Sequence, residues 1–126
     1  PMKTIMVVDD EQSLRKTVRI VLESEGYAVE EAESADECWK KVQAMSPLPE
    51  LILLDIRMPG MPSIELVKKV KENSKLRKIR IVYMTTIIGT KEFTKKIEGV
   101  IDAIEKPFTN DALLKTVQEA ISYEVI

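Results

Sequence analysis

Five residues of this sequence could do chemistry as a group: Asp9, Asp10, Asp55, Thr85 and Lys106. Three carboxylates held within reach of one another repel, each pair by about 1 to 4 kcal/mol at about 4 Å under partial screening. Something positive must offset them. A hard divalent cation with oxygen ligands is the natural partner, and magnesium takes one or two carboxylates plus phosphate oxygens while keeping several waters; manganese could substitute. A zinc site is not expected, because the chain has no histidine and one cysteine, Cys38. Beside such a cation, a carboxylate at a sheet edge can attack phosphorus and become an aspartyl phosphate. Asp55 has the best placement for that attack. Phosphoryl transfer asks a protein mainly to position groups and neutralise charge on the equatorial oxygens, tasks suited to the Lys106 ammonium and the Thr85 hydroxyl.

The elements that must position these residues are legible as apolar runs. Lys3 to Val8 ends abruptly in Asp9, Asp10 and Glu11, and Leu51 to Leu54 ends as abruptly in Asp55. Both predict buried strands. Arg80 to Met84 predicts a third, stopped by Thr85 and Thr86, while Ala28 to Ala32 and Ala103 to Ile104 are weaker strand signals. Helical spacing lies between them: Leu14, Val18, Val21 and Leu22; Ala35, Cys38, Trp39 and Val42; Ile64, Val67 and Val70; a weaker pair, Phe93 and Ile97; and Ala112, Leu113, Val117 and Ile121. Gly26 closes the first helix, Ser34 and Thr109 are candidate N-caps, and residues 58–62 (Met-Pro-Gly-Met-Pro) mark a loop. Five strand–helix alternations with short connections predict one domain over residues 1–126. Its class is α/β, a doubly wound five-stranded parallel sheet of (βα)5 flavodoxin-like topology and strand order 2-1-3-4-5. In such a sheet ligands sit beyond the carboxyl ends of the strands, where the five chemical residues all fall.

Composition narrows the function classes. The chain has 126 residues, 44% hydrophobic and 32% charged, with a net charge of -2. That is globular composition in one domain's length. The lysines at 68, 69, 71, 75 and 78, with Arg77 and Arg80, are interrupted by Glu65 and Glu72, so solvent exposure explains them better than nucleic-acid binding. No run approaches a membrane span and no secretion signal precedes the first strand, so neither nucleic acid nor membrane is an expected direct partner and a cytoplasmic location is expected. Cys38 and Trp39, on an apolar helical face, are expected in the core. Pro1 ahead of Met2 is an unusual start that would suit one domain of a longer protein.

Four motifs carry a resemblance. They are VVDDE at residues 7–11, LLDIRMPGM at 53–61, MTT at 84–86 and EKPF at 105–108, and together they resemble the receiver domains of response regulators in two-component signalling over essentially the whole chain. The resemblance implies a magnesium-dependent phosphorelay switch. Asp55 would be the phosphoacceptor, Asp9 and Asp10 the acid pair that organises magnesium, and Arg57 the donor of a backbone carbonyl ligand. Lys106 would pair with the phosphoryl group, Thr85 would be the switch hydroxyl that moves toward it, and Lys106-Pro107 would be a cis-proline turn. The implied partners are a sensor histidine kinase or phosphotransfer protein upstream. Downstream stands a protein or effector domain reached through the fourth and fifth helix surface.

The departures are at the switch. The family places Tyr or Phe three residues before the lysine, and here that residue is Ala103. Thr85 alone, or another side chain such as Tyr83 or Phe93, must then couple the site to the surface. Thr86 is bulkier than the usual Ala or Gly, and Ile87 with Arg57 falls where the family tunes aspartyl-phosphate lifetime, so Thr86, Ile87, Arg57 and Ala103 are candidate modulators beside the switch residue Thr85. Two other readings compete. A magnesium phosphatase with an aspartyl nucleophile typically needs a second Asp two residues on, where this chain has Arg57; a fixed scaffold would not need the complete acid and lysine set.

Overall fold

The strongest apolar runs form the middle of the sheet. A computed structural model describes residues 2–86, 94 and 96–125. Their order is β1 (Thr4–Val8), α1 (Gln12–Ser24), β2 (Ala28–Ala32), α2 (Ala35–Ala44), β3 (Leu51–Asp55), α3 (Ser63–Glu72), β4 (Arg80–Thr85), β5 (Asp102–Glu105) and α4 (Asn110–Ser122). The strands are all parallel, in the order β2-β1-β3-β4-β5. This is the expected flavodoxin-like sheet. The described residues include four helices; of the weaker helical pair between β4 and β5, Phe93 lies outside the described residues, as does Ile87, while Ile97 packs against the core.

Side chains alternate across the sheet, so each strand supplies two separate cores. Met6, Val8, Ile52, Leu54, Ile81, Tyr83 and Ala103 face α2 and α3, whose Cys38, Val42, Leu66, Val67 and Val70 cover them. Ile5, Val7, Leu51, Leu53, Val82, Met84 and Ile104 face α1 and α4, covered by Val18, Leu22, Leu113 and Val117. Because both faces are covered, β3 is buried at every residue and reads as an unbroken apolar run rather than an alternating one. Cys38 is buried as expected, and desolvation pushes its thiol pKa up to about 12, which leaves it protonated and inert. Trp39 is half-buried against the same core, with the Lys69 ammonium 5.5 Å from its ring centroid.

The helix ends follow local chemistry. The Ser34 side chain accepts the Glu37 N–H and the Thr109 side chain accepts the Ala112 N–H, each at 3.0 Å, so both predicted N-caps are present. Gly26 follows α1 with φ of 88°. One helical face differs from expectation: Ile64 is 45% exposed, and α3 packs through Leu66, Val67 and Val70 instead. The helix starts at Ser63, which is itself buried and donates its hydroxyl to the Ile56 carbonyl, so the inward stripe runs through 63, 66, 67 and 70 and leaves Ile64 off it.

Candidate phosphoryl-transfer site

The site is assembled by strand ends. Asp9 is the first residue after β1, Asp55 closes β3, Thr85 closes β4 and Lys106 is the first residue after β5. Since β1, β3, β4 and β5 are adjacent and parallel, their carboxyl ends converge on one crevice. Asp9, Asp10 and Asp55 each offer a carboxylate oxygen within 4.8 Å of the others. Asp9 is fully buried and Asp55 nearly so, whereas Asp10 is exposed.

Hydrogen bonds fix the directions of these carboxylates. Asp9 Oδ1 accepts the Glu11 N–H at 2.9 Å, and Asp9 Oδ2 accepts from Lys106 Nζ at 2.5 Å. Lys106 Nζ also lies 3.6 Å from Asp55 Oδ2, so one ammonium stands between two buried carboxylates. Asp55 Oδ1 accepts the Arg57 N–H at 3.2 Å. Glu11, not Asp9 or Asp10, occupies the N-cap of α1, and no side chain caps that helix. The acid pair is therefore not explained as a helix cap. Lys106 itself is placed by its own N–H, which donates to the Thr85 carbonyl at 2.6 Å, and the Lys106-Pro107 peptide is cis, as the resemblance implied. A second cis bond, Ser46-Pro47, was not anticipated.

Three carboxylates against one ammonium leave the crevice short of positive charge. Burial is the largest effect on Asp55 and, with the charge of Asp9, raises its carboxyl pKa above the ordinary value despite Lys106 and the Arg57 N–H. An all-oxygen, net-negative donor set of this kind fits a hard divalent cation, with Asp9, Asp10 and Asp55 as the side chains able to hold it. Arg57 and Thr86 are exposed around the crevice, and Thr85 is buried at its wall.

Tyr83 and Ala103 are register partners on β4 and β5 and point to the same face. Tyr83 is 2% exposed, and burial pushes its phenol pKa above the ordinary value despite the nearby Ser63, whose hydroxyl donates to the carbonyl of Ile56 at 3.1 Å. The small side chain at 103 thus accompanies a large one beside it.

Several supporting residues left no mark in the sequence. Asp36 Oδ2 accepts the Met61 N–H at 3.1 Å and holds the loop after Asp55; Gly60, at φ of 93°, passes so close that a Cβ there would lie 2.7 Å from the same oxygen. Arg15 donates to the Asp9 carbonyl from within α1. Contacts between residues 25 or more positions apart, or off an apolar stripe, have no periodic signature to betray them.

Comparison with known proteins is consistent across sequence and structure. The family model described as the response regulator receiver domain matches residues 5–118. Chemotaxis protein CheY1 of Helicobacter pylori is 36% identical over 86% of this chain and 89% of its own length. The phosphate regulon transcriptional regulatory protein PhoB of Escherichia coli is 36% identical over 95% of this chain, which spans only 53% of that protein. Among solved structures, the chemotaxis response regulator CheY4 of Vibrio cholerae superposes with a TM-score of 0.85 at 33% identity, covering 95% of this chain and 99% of the other.

Proposed function

The chain belongs to the response regulator receiver domain family, and we propose that it is a phosphorelay switch whose phosphoacceptor is Asp55. Receiver domains are signalling domains of two-component systems rather than conventional enzymes. The observation that carries the reading is the placement of Lys106 Nζ between Asp9 and Asp55, with Asp10 completing the acidic cluster.

The donor is a phosphohistidine on a sensor kinase or phosphotransfer protein. An Asp55 carboxylate oxygen attacks phosphorus, the new O–P bond forms as the P–N bond breaks, and the released imidazole nitrogen takes a proton from solvent. Asp9, Asp10, Asp55 and the Arg57 carbonyl would hold a divalent cation, magnesium or manganese, which when bound would supply charge neutralisation for the transferring oxygens. Lys106 exchanges part of its contact with Asp55 for the phosphoryl group. Thr85 turns its hydroxyl toward that group, drawing on the carboxyl end of β4 and altering the neighbouring helix surface for a downstream protein or effector domain. Arg57, Thr86, Ile87 and Ala103 set the rate of hydrolysis and the strength of that coupling. A cytoplasmic setting suits these partners; among the described residues no helix is long and apolar enough to cross a membrane.

The test is intact mass after incubation with acetyl phosphate and magnesium. A single phosphoryl adduct is expected on the wild type, absent from Asp55→Asn and absent when the metal is chelated. If no adduct forms and a beryllium fluoride mimic of the phosphoryl group also fails to bind, the acceptor assignment is wrong and a scaffold role takes its place.

A further inference from the structure

Asp9 is held at four points. Its N–H donates to the Ala32 carbonyl at 3.1 Å, its Oδ1 accepts from Glu11 and its Oδ2 from Lys106. The fourth is the Arg15 guanidinium, which donates from its terminal nitrogen to the Asp9 carbonyl at 2.7 Å. That carbonyl belongs to the peptide joining Asp9 to Asp10, so its direction decides how the two carboxylates stand relative to each other.

Arg15 is itself oriented. Its Nε donates to Glu31 Oε1 at 3.0 Å, and the other oxygen of Glu31 accepts from Arg19 Nε at 2.7 Å. Glu31 lies on β2, next to β1 in the sheet, and its backbone carbonyl accepts from Lys41 Nζ. Burial works against the Glu31 charge, but the hydrogen bonds from Arg19 and Arg15 outweigh it and leave its pKa below the ordinary value. The Arg15 side chain is only 12% exposed, so the fork is held within the structure rather than waving in solvent.

We propose that Arg15 is the positioning residue of the acid pair: with Glu31 behind it, it fixes the Asp9–Asp10 peptide in the orientation that presents both carboxylates to a divalent cation. The inference rests on the cation reading of the site. It also has a sign that separates geometry from charge. A guanidinium so near a cation site repels the cation, so an effect through charge alone would make removal of Arg15 tighten binding; positioning makes removal weaken it. Partners that orient metal ligands typically contribute tenfold or more to affinity.

The experiment is calorimetric titration of magnesium into wild type, Arg15→Met, Arg15→Lys and Arg19→Met, with melting temperatures measured in the absence of metal. Arg19→Met also strips Glu31 of a partner but leaves the Asp9 carbonyl untouched. Arg15→Met is expected to weaken magnesium binding about tenfold, Arg15→Lys by less, and Arg19→Met by under about twofold even where its melting temperature falls as far. Equal or tighter binding by Arg15→Met, or equal weakening by the Arg19 variant, overturns the proposal while leaving the cation site standing. Should Arg15→Met not fold, Arg15→Lys against Arg19→Lys decides in the same way. A wild type that binds no magnesium overturns both the cation reading and this inference.

Discussion

Asp55 carries a charge that the fold would hold more comfortably as a proton. Burial first, and the neighbouring Asp9 second, raise its carboxyl pKa. A group whose pKa is higher folded than unfolded gives stability that is complete below the unfolded value and lost as pH rises through the folded one. Asp55→Asn is therefore expected to melt a few degrees above wild type at neutral pH without metal, a gain on the order of 1 kcal/mol. The gain disappears in acid, below the unfolded carboxyl range, where both side chains are neutral. Magnesium should reverse the order, because binding at about a hundred times Kd stabilises the wild type by about 2.7 kcal/mol. Thermal melts across pH, with and without metal, check this; an Asn variant less stable than wild type at neutral pH without metal contradicts the repulsion. The residue identities of the site were legible in sequence because charged residues that end apolar runs are conspicuous. Their hydrogen bonds were not, since the Lys106–Asp9 contact joins positions 97 apart in the chain.

At the level of strands and helices, the pairing of Tyr83 with Ala103 has a mechanical meaning. Two aromatic rings side by side on that face would compete for the same volume, so replacing Ala103 by Tyr is expected to cost about 1 to 3 kcal/mol through overpacking. Denaturant unfolding measures it. An Ala103→Tyr variant as stable as wild type would show that the space beside Tyr83 is free, and would remove the case for Tyr83 as a coupling residue. The loop after β3 is fixed as tightly: Gly60→Ala meets both a positive φ and the Asp36 carboxylate, and a loss of about 1 to 2 kcal/mol is expected on the same assay. Sequence periodicity located β1, β3 and β4 almost to the residue because their burial on both faces produces long apolar runs. It was weaker for β2 and β5, whose Glu30, Glu31, Asp102 and Glu105 interrupt the signal. For α3 it found Val67 and Val70 but took Ile64 as their partner, because Ile64 and Leu66 are equally apolar and only the buried spacing 63, 66, 67 and 70 separates them.

The described residues form one parallel sheet between two helical layers, and its doubly wound parallel class followed from alternation and short connections. Parallel neighbours require crossovers, crossovers are right-handed, and few arrangements survive those two constraints. The sheet order has a further consequence at its margins. Among the described strands β2 and β5 stand outermost, and both carry acids along their length while the central strands carry almost none. An outermost strand exposes unpaired peptide groups that invite a second chain to add on, and charge there opposes it by bringing like signs together. Concentrated samples should for that reason stay dispersed through repeated freezing, whereas Glu30→Val combined with Asp102→Val should scatter light on storage. An equally clear solution of the double variant would mean that something other than marginal charge keeps copies of this sheet apart.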